Sequence, residues 1–349
     1  MRNKKIAIIG TVGLPAKYGG WETLVDHLTI ELREDFDFTV YCTETSYTEK
    51  LDRYNGAKLE YLPLRANGIQ SIPYDIWSIF KALRNHDTIL ILGVSGCIIL
   101  PFLKLFNKKR IIVNIDGLEW KRDKWNDFAK WFLRYSEKLA VKNADIVVVD
   151  NTGIEDYVKD TYQRDCLLLE YGGDCADFKP REKGTHYFSV CRIEPENNIH
   201  VILEAFSVLP DSYLKIVGNW NNSDYGKELK LKYKKFANLE LIDPIYNREL
   251  LDNLRASAKV YIHGHSAGGT NPSLVEAMYL ELPIIAFDVN FNKYTTENKA
   301  IYFKNADDLV DKINSLEEVT LTKVAHDMKE IADRRYTWKI VAEKYKSIL

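Results

Sequence analysis

The sequence predicts an α/β chain built as two doubly wound domains, and three observations carry that prediction. Short apolar runs alternate with helical periods along all 349 residues. The apolar runs are continuous stretches of Ile, Val and Leu, which marks strands buried on both faces and therefore parallel sheets covered by helices. A Gly- and Pro-bearing segment without periodicity, YGGDCADFKPREKG (171–184), separates two halves of similar size.

In the first half the strands are expected at 5–10, 38–42, 58–62, 88–93, 110–115 and 145–149. Helices are expected at 20–33, 73–84, 97–107, 123–142 and 152–160. In the second half strands are expected at 186–191, 213–217, 238–242, 259–263, 283–287 and 300–303. Helices follow at 197–208, 224–236, 247–256, 272–280, 291–297, 306–317 and about 322–348, the last broken near Tyr336. The uncharged stretch 88–103 approaches membrane-spanning length, but Gly93, Ser95, Gly96 and Pro101 punctuate it. It reads as a buried strand, a glycine turn and the start of a buried helix. The expected domains are 1–172, 185–330 and a C-terminal helix, 331–349, that packs back toward the first. Ligands of doubly wound sheets bind beyond the carboxyl ends of the strands, so the two sheets are expected to face one cleft.

Composition narrows the function. Forty-eight basic residues oppose fifty acidic ones, and neither half is basic, which argues against general nucleic-acid binding. Five scattered cysteines (Cys42, Cys97, Cys166, Cys175, Cys191) without a CxxC pair fit a reducing compartment rather than a disulfide framework or zinc site. Lys4-Lys5 run directly into a strand, so no secretory leader and a cytoplasmic location are expected.

Four loops carry candidate chemistry. In GTVGLPAKYGG (10–20), Gly10, Gly13, Gly19 and Gly20 let the backbone approach a ligand, and the next helix start can offer N–H groups to a phosphate or hydroxyl. The spacing is neither GxGxxG nor a Walker loop, and a plain tight turn is the alternative. In NIDGLEWKRDKW (114–125), Asp116 ends a strand, where a carboxylate can orient a hydroxyl, act as a base or merely cap a turn. Glu119, Lys121 and Arg122 are either site residues or ordinary surface charges.

Trp120, Trp125, Phe128, Trp131, Phe132 and Tyr135 follow among Lys and Arg. Residues 104–142 hold eleven basic and five acidic side chains. That pattern suits an anionic lipid interface, or else a core helix whose stripe is 125, 128, 132, 135 and 139.

In VCRIEPENN (190–198), Arg192 just past a strand can neutralise a diphosphate leaving group, or form a surface salt bridge. In HGHSAGGTNPSLVEAM (263–278), Gly268, Gly269, Thr270 and Asn271 form a turn ending at Pro272. The N–H groups of Ser273 and Leu274 can then meet phosphate oxygens, and Glu276 can accept from a ribose. His263 and His265 lack an evident third metal ligand. Asp35-Phe36-Asp37 reads as DxD but lies between a helix and a strand, as a solvated turn.

RIEPE (192–196), TNPSLVEAM (270–278) and YTW (336–338) together resemble the landmarks of retaining family 4 glycosyltransferases of GT-B fold. GTVGLPAKYGGWET and NIDGLEWKRDKW are similar to the opening domain of bacterial capsule and cell-wall rhamnosyltransferases. The resemblance spans nearly the whole chain. It implies two Rossmann-like domains, the first binding the acceptor and the second a nucleotide-sugar donor. It places the donor at Gly19, Gly20, Arg192, Asn197, Gly268, Gly269, Thr270, Asn271, Ser273, Leu274 and Glu276. Arg192 matches the diphosphate-binding Arg, and Glu276 the ribose-holding second Glu of a Glu-x7-Glu motif. Three positions depart from the pattern: the usual Lys is Asn197, the first Glu is Gly268, and Asp116 stands where many members have His.

The resemblance further implies L-rhamnose from dTDP-rhamnose as the transferred sugar and a lipid-diphosphate-linked saccharide as acceptor, with neither a metal nor another cofactor required. Arg192 and Asp116 would be the catalytic residues. Trp120, Lys121, Arg122, Trp125 and Trp131 would meet the acceptor and the anionic inner face of the plasma membrane. A site without the first Glu leaves no unpaired carboxylate against the methyl group of a deoxy sugar. A UDP-hexose donor, a non-catalytic nucleotide-sugar-binding descendant and an epimerase are the competing readings. The sequence carries no sign of oligomeric state.

Overall fold

A computed structural model describes residues 3–17, 19–115, 117–121, 125–176 and 184–349. The chain divides into two compact units, Met1–Glu170 with Trp338–Leu349, and Tyr171–Thr337.

The first unit runs β1 (Lys4–Ile9), α1 (Gly20–Glu31), β2 (Phe36–Thr43), β3 (Arg53–Tyr54), β4 (Ala57–Leu62), α2 (Ser71–Asn85) and β5 (Thr88–Leu92). It continues with α3 (Leu100–Phe106), β6 (Arg110–Asn114), α4 (Asp127–Asn143), β7 (Ile146–Val149), α5 (Thr152–Tyr162) and β8 (Leu167–Leu168). The strand order is β3-β4-β2-β1-β5-β6-β7-β8, parallel except for the short β3–β4 pair. Ile6 of β1 lies opposite Phe38 on one side and Thr88 on the other. Ile6, Ala7, Ile8 and Ile9 are all fully buried, as a strand covered by helices on both faces requires.

The second unit runs β9 (Tyr187–Val190), α6 (Ile199–Ser207), β10 (Leu214–Val217), α7 (Asp224–Tyr233), β11 (Leu239–Ile242), α8 (Arg248–Ala256) and β12 (Val260–His263). Then come α9 (Pro272–Tyr279), β13 (Ile284–Phe287), α10 (Asn290–Thr295), β14 (Ile301–Phe303), α11 (Ala306–Asn314) and α12 (Glu318–Arg335). All its strands are parallel, in the order β11-β10-β9-β12-β13-β14. Trp220, Phe206 and Phe303 anchor its core beside Ile202, Ile216 and Ile262.

The chain then returns to the first unit as α13 (Trp338–Ile348), which packs on α1. Trp338 stacks on His27 with ring centroids 4.2 Å apart. The Asn114 amide donates to the Tyr345 hydroxyl at 2.7 Å, and Lys344 ion-pairs with Glu170. The break before α13 falls at Tyr336, which is fully buried and donates its hydroxyl to the Thr295 carbonyl at 2.8 Å.

The two parallel, doubly wound sheets are the fold class the sequence predicts. In the first, order reverses at β1, flanked by β2 and β5. In the second it reverses at β9, flanked by β10 and β12. Loops leaving the carboxyl ends of these strands line the crevice where such sheets take ligands.

Three local expectations are corrected. The helix expected over 97–107 opens as a 3-10 turn, Cys97–Ile99, and α3 leaves Phe102, Leu105 and Phe106 exposed rather than buried. The helix expected from 123 begins at Asp127, because the Asn126 side chain caps it by accepting from the Ala129 N–H at 2.9 Å. Its buried stripe is Leu133, Ser136, Glu137, Ala140 and Val141. Phe128 and Tyr135, placed in the core by the alternative reading, are exposed. Likewise the helix expected from 197 begins at Ile199, after a 3-10 turn over Pro195–Asn197 and a left-handed Asn198. Among the described residues no helix is long and apolar enough to cross a membrane.

Candidate functional site

In the first unit the loop after β1 is held by one carboxylate. Glu22 Oε1 accepts from the Thr11 hydroxyl and from the Val12 N–H, both at 2.7 Å. Tyr74 donates its hydroxyl to the Thr11 carbonyl at 3.1 Å. Gly19 caps α1 at φ 132°, and a Cβ there would lie 2.0 Å from Glu22 Oε2, so glycine is required. Having no side chain, Gly19 leaves the first amides of α1, beginning at Gly20, without a side-chain cap. Glu22 was not singled out from sequence, yet it occupies the third helical position, where a carboxylate reaches back over the N-terminus.

Asp75 is a second group the sequence reading missed. It lies on α2 beneath the turn that follows β5, where the Gly96 N–H donates to its carboxylate, and its Oδ1 has no partner among the described residues. Burial pushes its pKa up to about 8, against the opposing effect of that hydrogen bond.

Asp116 and Arg122 lie outside the described residues. Trp120 is half-buried, with the Arg134 guanidinium 5.1 Å from its ring centroid and the exposed Lys121 ammonium at 5.4 Å. Beneath this group Glu137 accepts from the Tyr157 and Tyr162 hydroxyls at 2.7 Å each. Burial raises the Glu137 pKa, and these hydrogen bonds oppose the rise. Trp125 is half-buried and donates its indole N–H to Glu119 at 3.1 Å. Trp131 instead stands exposed and stacks on Tyr135. The aromatic residues named from sequence therefore divide into a fixed pair and an outward-facing ring.

In the second unit the loops after β9 and β12 are laced together. Asn198 donates its side-chain amide to the Gly264 carbonyl at 2.8 Å, and Ser266 donates both its N–H and its hydroxyl to the Glu196 carbonyl. A Cβ at Gly264 would meet the Asn197 carbonyl oxygen at 2.1 Å, so this approach depends on glycine. Arg192, two residues beyond β9, is exposed. Asn197 is buried and used at both ends: its amide donates to the Arg192 carbonyl at 2.8 Å, and Oδ1 meets His265 Nδ1 at 2.9 Å. It thus fixes the Arg192 turn rather than reaching outward.

The expected phosphate-binding amides also move. Asn271 caps α9 by accepting from the Ser273 N–H at 3.0 Å and the Ser273 hydroxyl at 2.8 Å, and its carbonyl accepts from the Leu274 N–H at 3.0 Å. Ser273 and Leu274 are therefore already satisfied. The N–H groups of Gly268 and Gly269 have no acceptor among the described residues, and Gly269 sits at φ 88°. Thr270 is buried between them and the cap.

Glu276 is held by a partner the sequence reading did not find. The buried Arg255 of α8 donates to Glu276 Oε2 at 2.6 Å, and the Cys175 thiol lies 3.5 Å from Oε1. The Arg255 pKa is raised: burial works against its charge, and Glu276, Tyr261 and Asp252 together outweigh it. His263 is buried with Nε2 unpartnered, and burial pushes its pKa down to about 3, so the imidazole is neutral. No group of three His, Cys, Asp or Glu side chains converges as a metal site among the described residues. Of the DxD-like triplet, Asp35 precedes β2 and pairs with Lys346 at 2.7 Å, whereas Phe36 and Asp37 open that strand rather than forming a turn.

The chain's likenesses agree with this architecture. Residues 3–174 match a family model described as a domain of unknown function, DUF1972, and residues 176–335 match one described as glycosyl transferases group 1. An uncharacterized glycosyltransferase, MJ1069 of Methanocaldococcus jannaschii, is 24% identical over all of this chain and 98% of its own. Among solved structures, sucrose-phosphate synthase of Thermosynechococcus elongatus superposes with a TM-score of 0.85 at 15% identity, over 99% of this chain and 98% of its own. HepE of Anabaena, solved with UDP and glucose, gives 0.76 at 14% identity over 99% of both chains. Two doubly wound sheets, with glycine-bearing loops at both switch points, give the chain the fold of the GT-B glycosyltransferases. The second unit's segment, residues 176–335, is thus similar to group 1 glycosyl transferases.

Proposed function

We propose that the protein is a retaining, metal-independent transferase that moves L-rhamnose from dTDP-rhamnose onto a lipid-diphosphate-linked saccharide during bacterial surface-polysaccharide synthesis. One arrangement carries the reading: an exposed cation, two free amides and a fixed carboxylate on adjoining elements of one sheet edge. Arg192 and the Gly268 and Gly269 amides suit the two phosphates, and Glu276, oriented by Arg255, suits the ribose hydroxyls.

In the reaction the bond from the sugar C1 to the β-phosphate oxygen breaks, and the acceptor oxygen bonds to C1 on the same face. The acceptor's proton passes to the departing diphosphate. Arg192 and the loop amides stabilise the charge that develops there. Asp116 orients the acceptor hydroxyl. The acceptor is presented at the cytoplasmic face of the membrane, which Trp131 and the basic side chains of α4 meet.

A second reading, the same reaction with a UDP-hexose, gains support from HepE, whose solved complexes hold UDP and glucose or UDP-glucose. A thermal-shift and hydrolysis panel with dTDP-rhamnose, UDP-glucose, UDP-N-acetylglucosamine, dTDP and UDP separates them. Stabilisation by dTDP-rhamnose with slow dTDP release is expected. A selective response to a UDP-sugar would replace rhamnose and keep the mechanism.

A further inference from the structure

One side of the first unit leaves large apolar side chains in water. On α3, Phe102, Leu105 and Phe106 are 58%, 75% and 76% exposed. On α4, Phe128, Trp131 and Tyr135 are 73%, 60% and 43% exposed, and on α2, Trp77 and Phe80 are 44% and 46% exposed. Right-handed crossovers put these three helices on one face of the sheet. α3 packs directly on α4. Between α2 and α3 runs a groove of about 460 Å³ lined by Phe80, Leu83, Phe102, Leu103, Phe106 and Asn107. Scattered exposed apolar residues need no explanation, but exposed rings grouped on three helices of one sheet face mark an interaction surface.

Charge identifies the occupant. Lys108 and Lys109 follow α3 directly, and Arg134 and Lys138 lie one and two turns beyond Trp131 on α4. Among the described residues Lys108, Lys109 and Lys138 form no ion pair. With eleven basic and five acidic residues, segment 104–142 is strongly positive within a chain of net charge −2. A second copy docked face to face would oppose like charges. An anionic bilayer is complementary to both features, since phosphates meet the lysines and hydrocarbon meets the rings.

We propose that the α2–α3–α4 face rests on an anionic phospholipid bilayer, with the α2–α3 groove admitting an acyl chain and Trp131 and Tyr135 lying at headgroup level. Phe80 and Phe106 belong to the parts of α2 and α3 remote from the sheet's carboxyl edge, whereas Phe128 and Trp131 begin α4 near that edge. The face therefore lies along the membrane over the length of its helices. This extends the membrane contact from α4 to α2 and α3. It rests on the membrane-borne acceptor proposed above only for its purpose, and no acceptor is needed to test it.

The experiment is co-sedimentation with phosphatidylcholine vesicles with and without phosphatidylglycerol, at low and high salt. It uses the wild-type chain, the pair Phe102→Ser/Phe106→Ser and the pair Lys108→Glu/Lys109→Glu. Wild type is expected on phosphatidylglycerol vesicles and released by salt. Each pair should bind at least about tenfold more weakly while keeping the wild-type melting temperature and its response to nucleotide sugars. Wild type that stays off anionic vesicles, or variants that bind like wild type, overturns the proposal. So does a concentration-dependent dimer abolished by the phenylalanine pair, which would assign the face to a second copy. Failure of the donor panel with vesicle binding intact would remove the rhamnose reading alone.

Discussion

Arg192 and Arg255 belong to the same unit and serve neighbouring parts of the proposed donor, the diphosphate and the ribose. Arg192 is exposed on a loop, so its removal costs little folding energy. Arg192→Ala is expected to lower turnover by roughly 10²–10³-fold, the loss of one transition-state contact, with an unchanged melting temperature. Arg255 is buried, and Arg255→Met leaves the Glu276 carboxylate without its cation. That variant should lose about 3 kcal/mol of stability and bind free nucleoside diphosphate more weakly. Calorimetric titration and thermal melts of the two variants distinguish the roles. Normal nucleotide affinity in Arg255→Met would remove Glu276 from the ribose site. Arg192 and Glu276 were legible because each follows a strand within a recognisable run. Arg255 was not, because it sits in the last turn of α8, where a basic residue is ordinary, and its partner lies 21 residues away along the chain.

At the scale of elements, α2 carries a built-in pH dependence. The Asp75 carboxyl has a pKa raised from 3.8 to about 8 by burial. Between about pH 4 and pH 8 the folded chain therefore keeps a proton that the unfolded chain has lost. Unfolding then releases a proton, so stability falls as pH rises through this window and levels off above it. The slope from this one group can approach about 1.4 kcal/mol per pH unit. Asp75→Asn should flatten the fall in melting temperature between pH 5 and pH 8, as thermal melts across that range would record. An unchanged slope would mean that Asp75 is ionised in the fold.

Helix α4 shows where sequence patterning stops. Its aromatic residues fit a core stripe or a lipid interface by spacing, and only the position of its neighbours selects Leu133 and Val141 for the interior. The capped start of α9 has the same origin: TNPS announces a helix N-terminus, but not that Asn271 spends the first amides on itself.

For the whole molecule, both parallel sheets were legible because strands buried on two faces read as continuous apolar runs. The two-residue strands β3 and β8 were not, since they are too short to carry a pattern. The path of α13 has a consequence for stability. Trp338 is buried and stacked on His27, so Trp338→Ala should cost about 3–5 kcal/mol. Hydrogen exchange should then speed up in β1 and α1 while the sheet of β9–β14 keeps its protection. Loss of protection in that second sheet instead would contradict the assignment of α13 to the first unit.

The same path sets an order of assembly. Translation delivers β1 to β8 of the first unit, then the whole of the second, and only afterwards the helix that covers α1. A nascent chain thus emerges with the underside of its first sheet open until synthesis has passed residue 338. During that interval α1 presents its apolar stripe to whatever meets the emerging polypeptide, and the unit made first is the one finished last.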